Sequence, residues 1–375
     1  MAMFDASKEW IVFLPPDIPE VKKAVGDLVR CIGVLATLQE TGLQEARGTI
    51  ASNGATQKTP VIVNAFESAP SGEDAIIIVN SEALGAQQNG FMWRAEPKRV
   101  EIHGESGRGL CNGIYSFLSS LGISWPAPKQ EKFPSAAIKN PLGSSSRASQ
   151  GFTLSNSRAN EPSRYEGENP AAAPWRRFVF AGKKEIRVFL KRSEAFAAWA
   201  ARRRYDALVF PLAAFTSISM GRKIREVMKS AGEYGISIEA GGHDLSSLVP
   251  RRFFFLHKDY FRMEEGRRKK AHHFCPTCPG TLRLIAREGG KLFQAAGETK
   301  VFHLWPDKGA ERIWCSCPSC RAFTPVEQNS IAVNAAADVL ASINPNASVT
   351  CFEKSGERGN VPLRQNIVGM ERLPE

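Results

Sequence analysis

From Trp175 onward the chain alternates short apolar runs with amphipathic stretches, and this alternation restricts the fold more than any other feature. The runs Arg177–Ala181, Ala207–Leu212, Ile236–Ala240, Lys300–Trp305, Ser348–Phe352 and Asn366–Met370 read as strands. Between them Ser193–Arg204, Gly221–Tyr234, Thr281–Ala296 and Glu327–Ile343 carry helical periodicity. Buried strands joined through helices form a parallel sheet, because only a long crossover returns the chain to the starting edge. The expected fold class is α/β, a (β/α)8-type barrel. The strands counted here fit in about 200 residues, and a full barrel takes ~250, so the expectation is a barrel incomplete at its C-terminus.

A different pattern precedes it. Residues 10–126 read as a small α+β domain, so the first domain is set at 1–126. Trp10–Leu14 is a strand, and Ile18–Glu40 is a helix with Val21, Val25, Leu28, Val29 and Ile32 on its apolar side. Pro60–Asn64 and Asp74–Asn80 are β-type runs, Gly90–Arg94 and Arg99–His103 read as paired strands, and Gly107–Leu121 is a helix. Residues 127–174 are rich in Pro, Ser, Asn and Gly and read as a linker or irregular segment, which leaves 175–375 for the barrel.

A net charge of +11 permits attraction to nucleic acid or anionic glycans without demanding either. No apolar run approaches membrane-spanning length. Within Met1 to Pro16 the longest apolar run is Trp10–Leu14, too short for a signal-peptide core, so the expectation is a cytoplasmic chain or a mature form.

Chemistry is sought at the carboxyl ends of the strands, where α/β barrels build their sites. Asp307 follows the run Lys300–Trp305, with Glu311 close behind. Paired carboxylates at such a rim suit glycoside hydrolysis; Glu239 and Glu353, at the ends of neighbouring strands, are the candidate second acids. An Asp that merely caps its loop is the competing reading. Gly241-Gly242-His243 ends another strand, where two glycines allow a tight turn and close ligand approach; an incidental His in a turn is the alternative.

Cys31, Cys111 and Cys351 stand alone in apolar segments and read as small buried hydrophobes. The other five form two groups, Cys275/Cys278 and Cys315/Cys317/Cys320. Two C-x-x-C pairs can clamp a tetrahedral Zn²⁺, structural because thiolates alone leave no open position; reduced, unpaired thiols are the alternative. Basic runs (Arg202–Arg204, Arg251-Arg252, Arg267–Lys270, His272-His273) lie near Phe253–Phe255, Tyr260 and Phe261. This mixture fits nucleic acid or a sugar cleft in which Arg meets a uronate carboxylate. A solvated helix end accounts for Arg202–Arg204.

The segment Gly107-Arg-Gly-Leu-Cys-Asn-Gly-Ile-Tyr-Ser-Phe-Leu-Ser-Ser-Leu-Gly-Ile-Ser-Trp125, after Val100-Glu-Ile-His-Gly104, resembles the end of the small domain that precedes the barrel in α-glucuronidases and β-hexosaminidases. Gly235-Ile-Ser-Ile-Glu-Ala-Gly-Gly-His243, Leu248-Val-Pro250, Tyr260-Phe261, Gly266-Arg267, Asp307 and Trp314-Cys-Ser-Cys-Pro-Ser-Cys320 resemble, in this order, the barrel family known as domain of unknown function 4838. The resemblance implies a glycoside-hydrolase-like protein acting on or binding complex carbohydrate, uronate- or hexosamine-containing. It places the acid at Asp307, a binding His at His243, and the cysteine cluster at Cys275, Cys315, Cys317 and Cys320, without Cys278. Lys308 follows Asp307, so the adjacent second acid of hexosaminidases is lacking.

The expected function is therefore a glycosidase-related protein. Asp307 serves as general acid, Glu239 or Glu353 as its partner, and His243, Arg267 and Trp305 bind sugar. No cofactor is expected for catalysis, and a structural zinc is the expected metal. Carbohydrate is the expected partner, with no membrane, nucleic acid disfavoured, and a second chain available to complete the barrel. Two alternatives stand beside it: a non-catalytic carbohydrate-binding or scaffold barrel, and a zinc-containing nucleic-acid-binding protein.

Overall fold

A computed structural model describes residues 4–14, 18–41, 61–64, 74–80, 90–96, 98–134, 165–169, 176–180, 182–353 and 359–371. The chain divides into two compact units. One comprises Met1–Arg177, Arg192–Asp206 and Lys229–Ser237; the other comprises Phe178–Lys191, Ala207–Met228 and Ile238–Glu375.

The first unit is built on a mixed sheet. Strands β1 (Ile11–Leu14), β2 (Val61–Asn64), β3 (Ala75–Asn80), β4 (Phe91–Glu96), β5 (Arg99–Gly104) and β8 (Tyr165–Asn169) lie in the order β2-β1-β3-β5-β4-β8. Strands β2, β1, β3 and β5 are parallel, and β4 runs antiparallel to both β5 and β8. Helix α1 (Val21–Thr41) buries Val21, Val25, Leu28 and Ile32, the periodic apolar positions. Helix α2 (Gly107–Ser120) opens on Ser106, whose hydroxyl accepts from the Gly109 N–H at 3.0 Å. Gly104 is required just before it: a Cβ there would lie 2.4 Å from the Leu110 nitrogen.

Strands β6 (Ser124–Ala127) and β7 (Gln130–Lys132) pair as a hairpin. With β8, they show that segment 127–174 contributes strands where composition suggested a linker. Strand β8 pairs antiparallel with β4.

The second unit carries the parallel sheet. Helices α3 (Lys183–Leu190), α4 (Ser193–Arg202), α5 (Leu212–Phe215) and α6 (Ile218–Gly232) punctuate its first strands; of these α4 belongs to the first unit. Strands β9 (Arg177–Val179), β10 (Ala207–Phe210), β11 (Ser237–Gly242), β14 (Val301–Leu304), β15 (Ser348–Glu353) and β16 (Ile367–Glu371) lie side by side in sequence order. Pairings β11–β14, β14–β15 and β15–β16 are parallel. The order is that of an unrolled (β/α) barrel, and among the described residues β9 and β16 remain the two edges, so the architecture is α/β without closure.

The small antiparallel pair β12 (Met263–Glu264) and β13 (Arg267–Arg268) precedes helix α7 (Pro279–Leu284). A π turn at Ile285–Gly289 joins α7 to α8 (Gly290–Ala296). Helix α9 (Pro325–Ile343) starts on a capping box between Thr324 and Glu327. No helix among the described residues is long and apolar enough to cross a membrane.

Candidate functional site

The ends of β11 and β14 meet because of two glycines. A Cβ on Gly241 would fall 2.0 Å from the His303 carbonyl oxygen of β14, so no side chain fits there. Gly241 and Gly242 both adopt positive φ, +110° and +121°, and turn the chain into His243-Asp244. The glycine pair makes the expected turn, and the close approach at Gly241 is that of the neighbouring strand.

Behind this edge lies a buried polar chain across three strands. Glu239 of β11 is 1% exposed and His303 of β14 fully buried. His303 Nε2 is 2.6 Å from Glu239 Oε2, and Nδ1 is 2.6 Å from Thr350 Oγ1 on β15. The Trp305 indole N–H donates to the same hydroxyl at 3.0 Å. One direction of protons satisfies every link: Trp305 N–H to Thr350 oxygen, Thr350 O–H to His303 Nδ1, and His303 Nε2–H to Glu239. Glu239 thus stands inside the sheet as the anchor of His303.

At the rim, the Pro306 carbonyl can only accept, so His243 Nδ1, 2.8 Å away, carries the proton. Trp305 packs its ring between His243 and His303, with centroids 5.2 and 4.7 Å away. Asp307 accepts from the Ser246 N–H at 3.2 Å and lies 3.8 Å from the Arg251 guanidinium, the partners of a carboxylate anion. Asp244 was not singled out from sequence. Burial lifts its carboxyl to about 6; the nearby charge of Asp307 adds to the rise, and a hydrogen bond from the Leu212 N–H opposes it. Its Oδ1 is buried without a hydrogen-bond partner, as are Ser247 Oγ and Arg251 Nη1 on the same loop.

The remaining candidates fall elsewhere. Arg267 is exposed on β13, and Arg251 is the arginine beside Asp307. Glu311 accepts from the Gly309 N–H at 3.1 Å, a turn contact. Glu353 ends β15, and its side chain lies outside the described residues. A strand-end position after Gly-Gly-His was the available signal for Asp244. Arg251 was named only within a basic run, and its pairing with Asp307 had no local signal, because the turn Arg251–Phe255 brings it there only in the fold.

The cysteines gather in a separate cluster of the same unit. The Sγ atoms of Cys275, Cys315, Cys317 and Cys320 all lie within 4.8 Å of one another, and all four residues are buried. Cys275 Sγ is 3.7 Å from Cys317 and 3.6 Å from Cys320. Cys278 is turned away and points its thiol at Asp259. Gln328, on the first turns of α9, staples the loop: it accepts from the Cys315 N–H and donates to the Cys315, Cys320 and Phe323 carbonyls. His273 stacks on Trp314 and pairs through Nε2 with the Ala310 carbonyl, so this histidine of the basic run is a core residue.

No family model matches the sequence, and no curated protein matches it. Among solved structures the chain is similar to a β-N-acetylhexosaminidase from Bacteroides fragilis NCTC 9343, with a TM-score of 0.44 and 12% identity over 97% of this chain. It is similar to a GH20 β-N-acetylhexosaminidase from Streptomyces coelicolor A3(2), with a TM-score of 0.44, 12% identity and 98% of this chain covered. A GH138 enzyme targeting pectin rhamnogalacturonan II gives a TM-score of 0.49 at 12% identity over 97% of this chain. The chain spans 66%, 66% and 38% of the lengths of these three structures.

Proposed function

We propose that the chain is a glycosidase-related protein that takes carbohydrate at the carboxyl ends of β11 and β14. One observation carries this reading: two carboxylates with opposed environments, Asp244 and Asp307, stand at neighbouring ends of a sequentially ordered parallel sheet. Glycosidic cleavage needs one carboxyl that keeps its proton and one that does not. Asp244, raised to about 6 by burial, is the proton donor. Asp307, beside Arg251 and the Ser246 amide, is the charged partner. This exchanges the role expected of Asp307, because its partners suit an anion. Glu239 serves the site through His303 and Thr350, which set the plane of the Trp305 ring. His243, backed by the buried ring of Trp305, is half-buried and offers a polar edge of the kind that meets a sugar.

The test is hydrolysis of aryl glycosides, hexosaminides and uronides included, beside a glycan array. Asp307→Asn and Asp244→Asn should each lower turnover by about 10² or more. Wild-type turnover should fall as pH rises through about 6, when Asp244 loses its proton. Undiminished turnover in both variants removes the assignment. Lys308 beside Asp307, where a second acid would stand, favours a second reading as a non-catalytic carbohydrate-binding protein. Array binding without cleavage selects it, and neither binding nor cleavage rejects both.

A further inference from the structure

We propose that Cys275, Cys315, Cys317 and Cys320 hold one Zn²⁺ in a closed tetrathiolate site, and that Cys278 is not a ligand. The geometry is quantitative. Zn–S bonds of about 2.3 Å set tetrahedral edges of about 3.8 Å between sulfurs. The sulfur pairs 275–317 and 275–320 are 3.7 and 3.6 Å apart, and the whole set stays within 4.8 Å. These separations are far beyond a disulfide bond of about 2.0 Å. Four soft sulfurs without an oxygen or imidazole donor select zinc or iron over magnesium or calcium.

The surroundings match the charge of such a site. A divalent ion with four thiolates carries two net negative charges, which outer donors must offset. The Met263 N–H donates to Cys315 Sγ at 3.2 Å, and Arg268 Nη1 lies 3.8 Å from the same sulfur. The Thr277 hydroxyl is 3.1 Å from Cys320 Sγ and 3.7 Å from Cys275 Sγ. Arg268 is itself held by the Phe261 carbonyl at 2.7 Å, so its charge is fixed in place. Cys278, the nearer C-x-x-C partner of Cys275 in sequence, points instead at Asp259 across 3.5 Å.

The site would be structural, since four protein sulfurs leave no position open to a substrate. It joins three stretches distant in sequence: Cys275 ahead of α7, the β12–β13 hairpin through Met263 and Arg268, and the loop that carries Asp307 into Cys315–Cys320. The inference stands apart from the carbohydrate reading, because metal content is measured without any substrate.

The experiment is elemental analysis of the full chain purified without added metal, with the variants Cys278→Ser and Cys320→Ser. Wild type and Cys278→Ser should carry one zinc per chain, and Cys320→Ser should lose it with a lower melting temperature. Cobalt exchanged into the wild type should show thiolate charge-transfer bands and the visible absorption of a tetrahedral ion. This keeps the proposal testable if Cys320→Ser fails to fold. Wild-type protein without zinc, stoichiometric iron in its place, or zinc lost equally from Cys278→Ser would overturn it.

Discussion

Two aspartates, one in each unit, have opposite fates. Asp27 of α1 receives two hydrogen bonds from the Arg202 guanidinium, at 2.8 and 2.7 Å, and further ones from Arg30 and the Tyr115 hydroxyl. Burial pushes its carboxyl up, yet Arg202 and Arg30 bring it below the usual carboxylate value. Asp244 has only backbone donors, those of Leu212 and of Asp244 itself, a neighbouring negative charge and an unpartnered oxygen, so burial leaves it raised. The first arrangement is what stability selects: a charge leaves water only when opposite charge and hydrogen bonds replace the water. The second weakens the fold locally, and such unrelieved groups concentrate where a protein binds or reacts.

Breaking each aspartate's environment should separate the two cases. Arg202→Ala leaves Asp27 buried without its main partner and should cost about 3 kcal/mol in denaturant unfolding at neutral pH. A loss near zero would mean that Asp27 is solvated and the contrast unfounded. Asp244→Asn should act in the opposite direction. Its folded pKa of about 6 lies above the ordinary 3.8, so the wild type loses stability as pH rises between those values. The variant should match wild type below about pH 4 and exceed it above pH 6, by up to about 3 kcal/mol. A variant that is less stable at pH 8 would show that Asp244 is satisfied. The smallest effect is expected at Arg267, exposed on β13, where alanine should stay within about 0.5 kcal/mol of wild type and leave any glycan binding intact. A clear loss of binding there would return Arg267 to the site in place of Arg251.

The elements were legible wherever one local signal sufficed. The helix at 107–120 announced itself through apolar periodicity and its glycine-led start, and the order of β10, β11, β14 and β15 through alternation with helices. Strand β8 was hidden, because edge pairing along β4 uses main-chain groups that every sequence has. Among the candidate site residues, His243 and Asp307 were named from their positions after strands. Glu239 could be named too, but its partner could not: His303 lies 64 positions away and meets it only through strand pairing. Arg202 was expected to face solvent at a helix end, and it reaches Asp27 across 175 positions instead.

Sequence alone determined the α/β alternation, the Gly-Gly turn after the run at 236–240, and the thiol-rich loop after Asp307. Each follows from periodicity, backbone conformation or residue chemistry, which act over a few neighbouring positions. Only the tertiary structure decided which carboxylate is partnered and which arginine meets Asp307; the four cysteines that converge are those the resemblance implied. Those outcomes depend on distances across paired strands and returning loops, and on the burial that changes what a carboxyl or thiol will do.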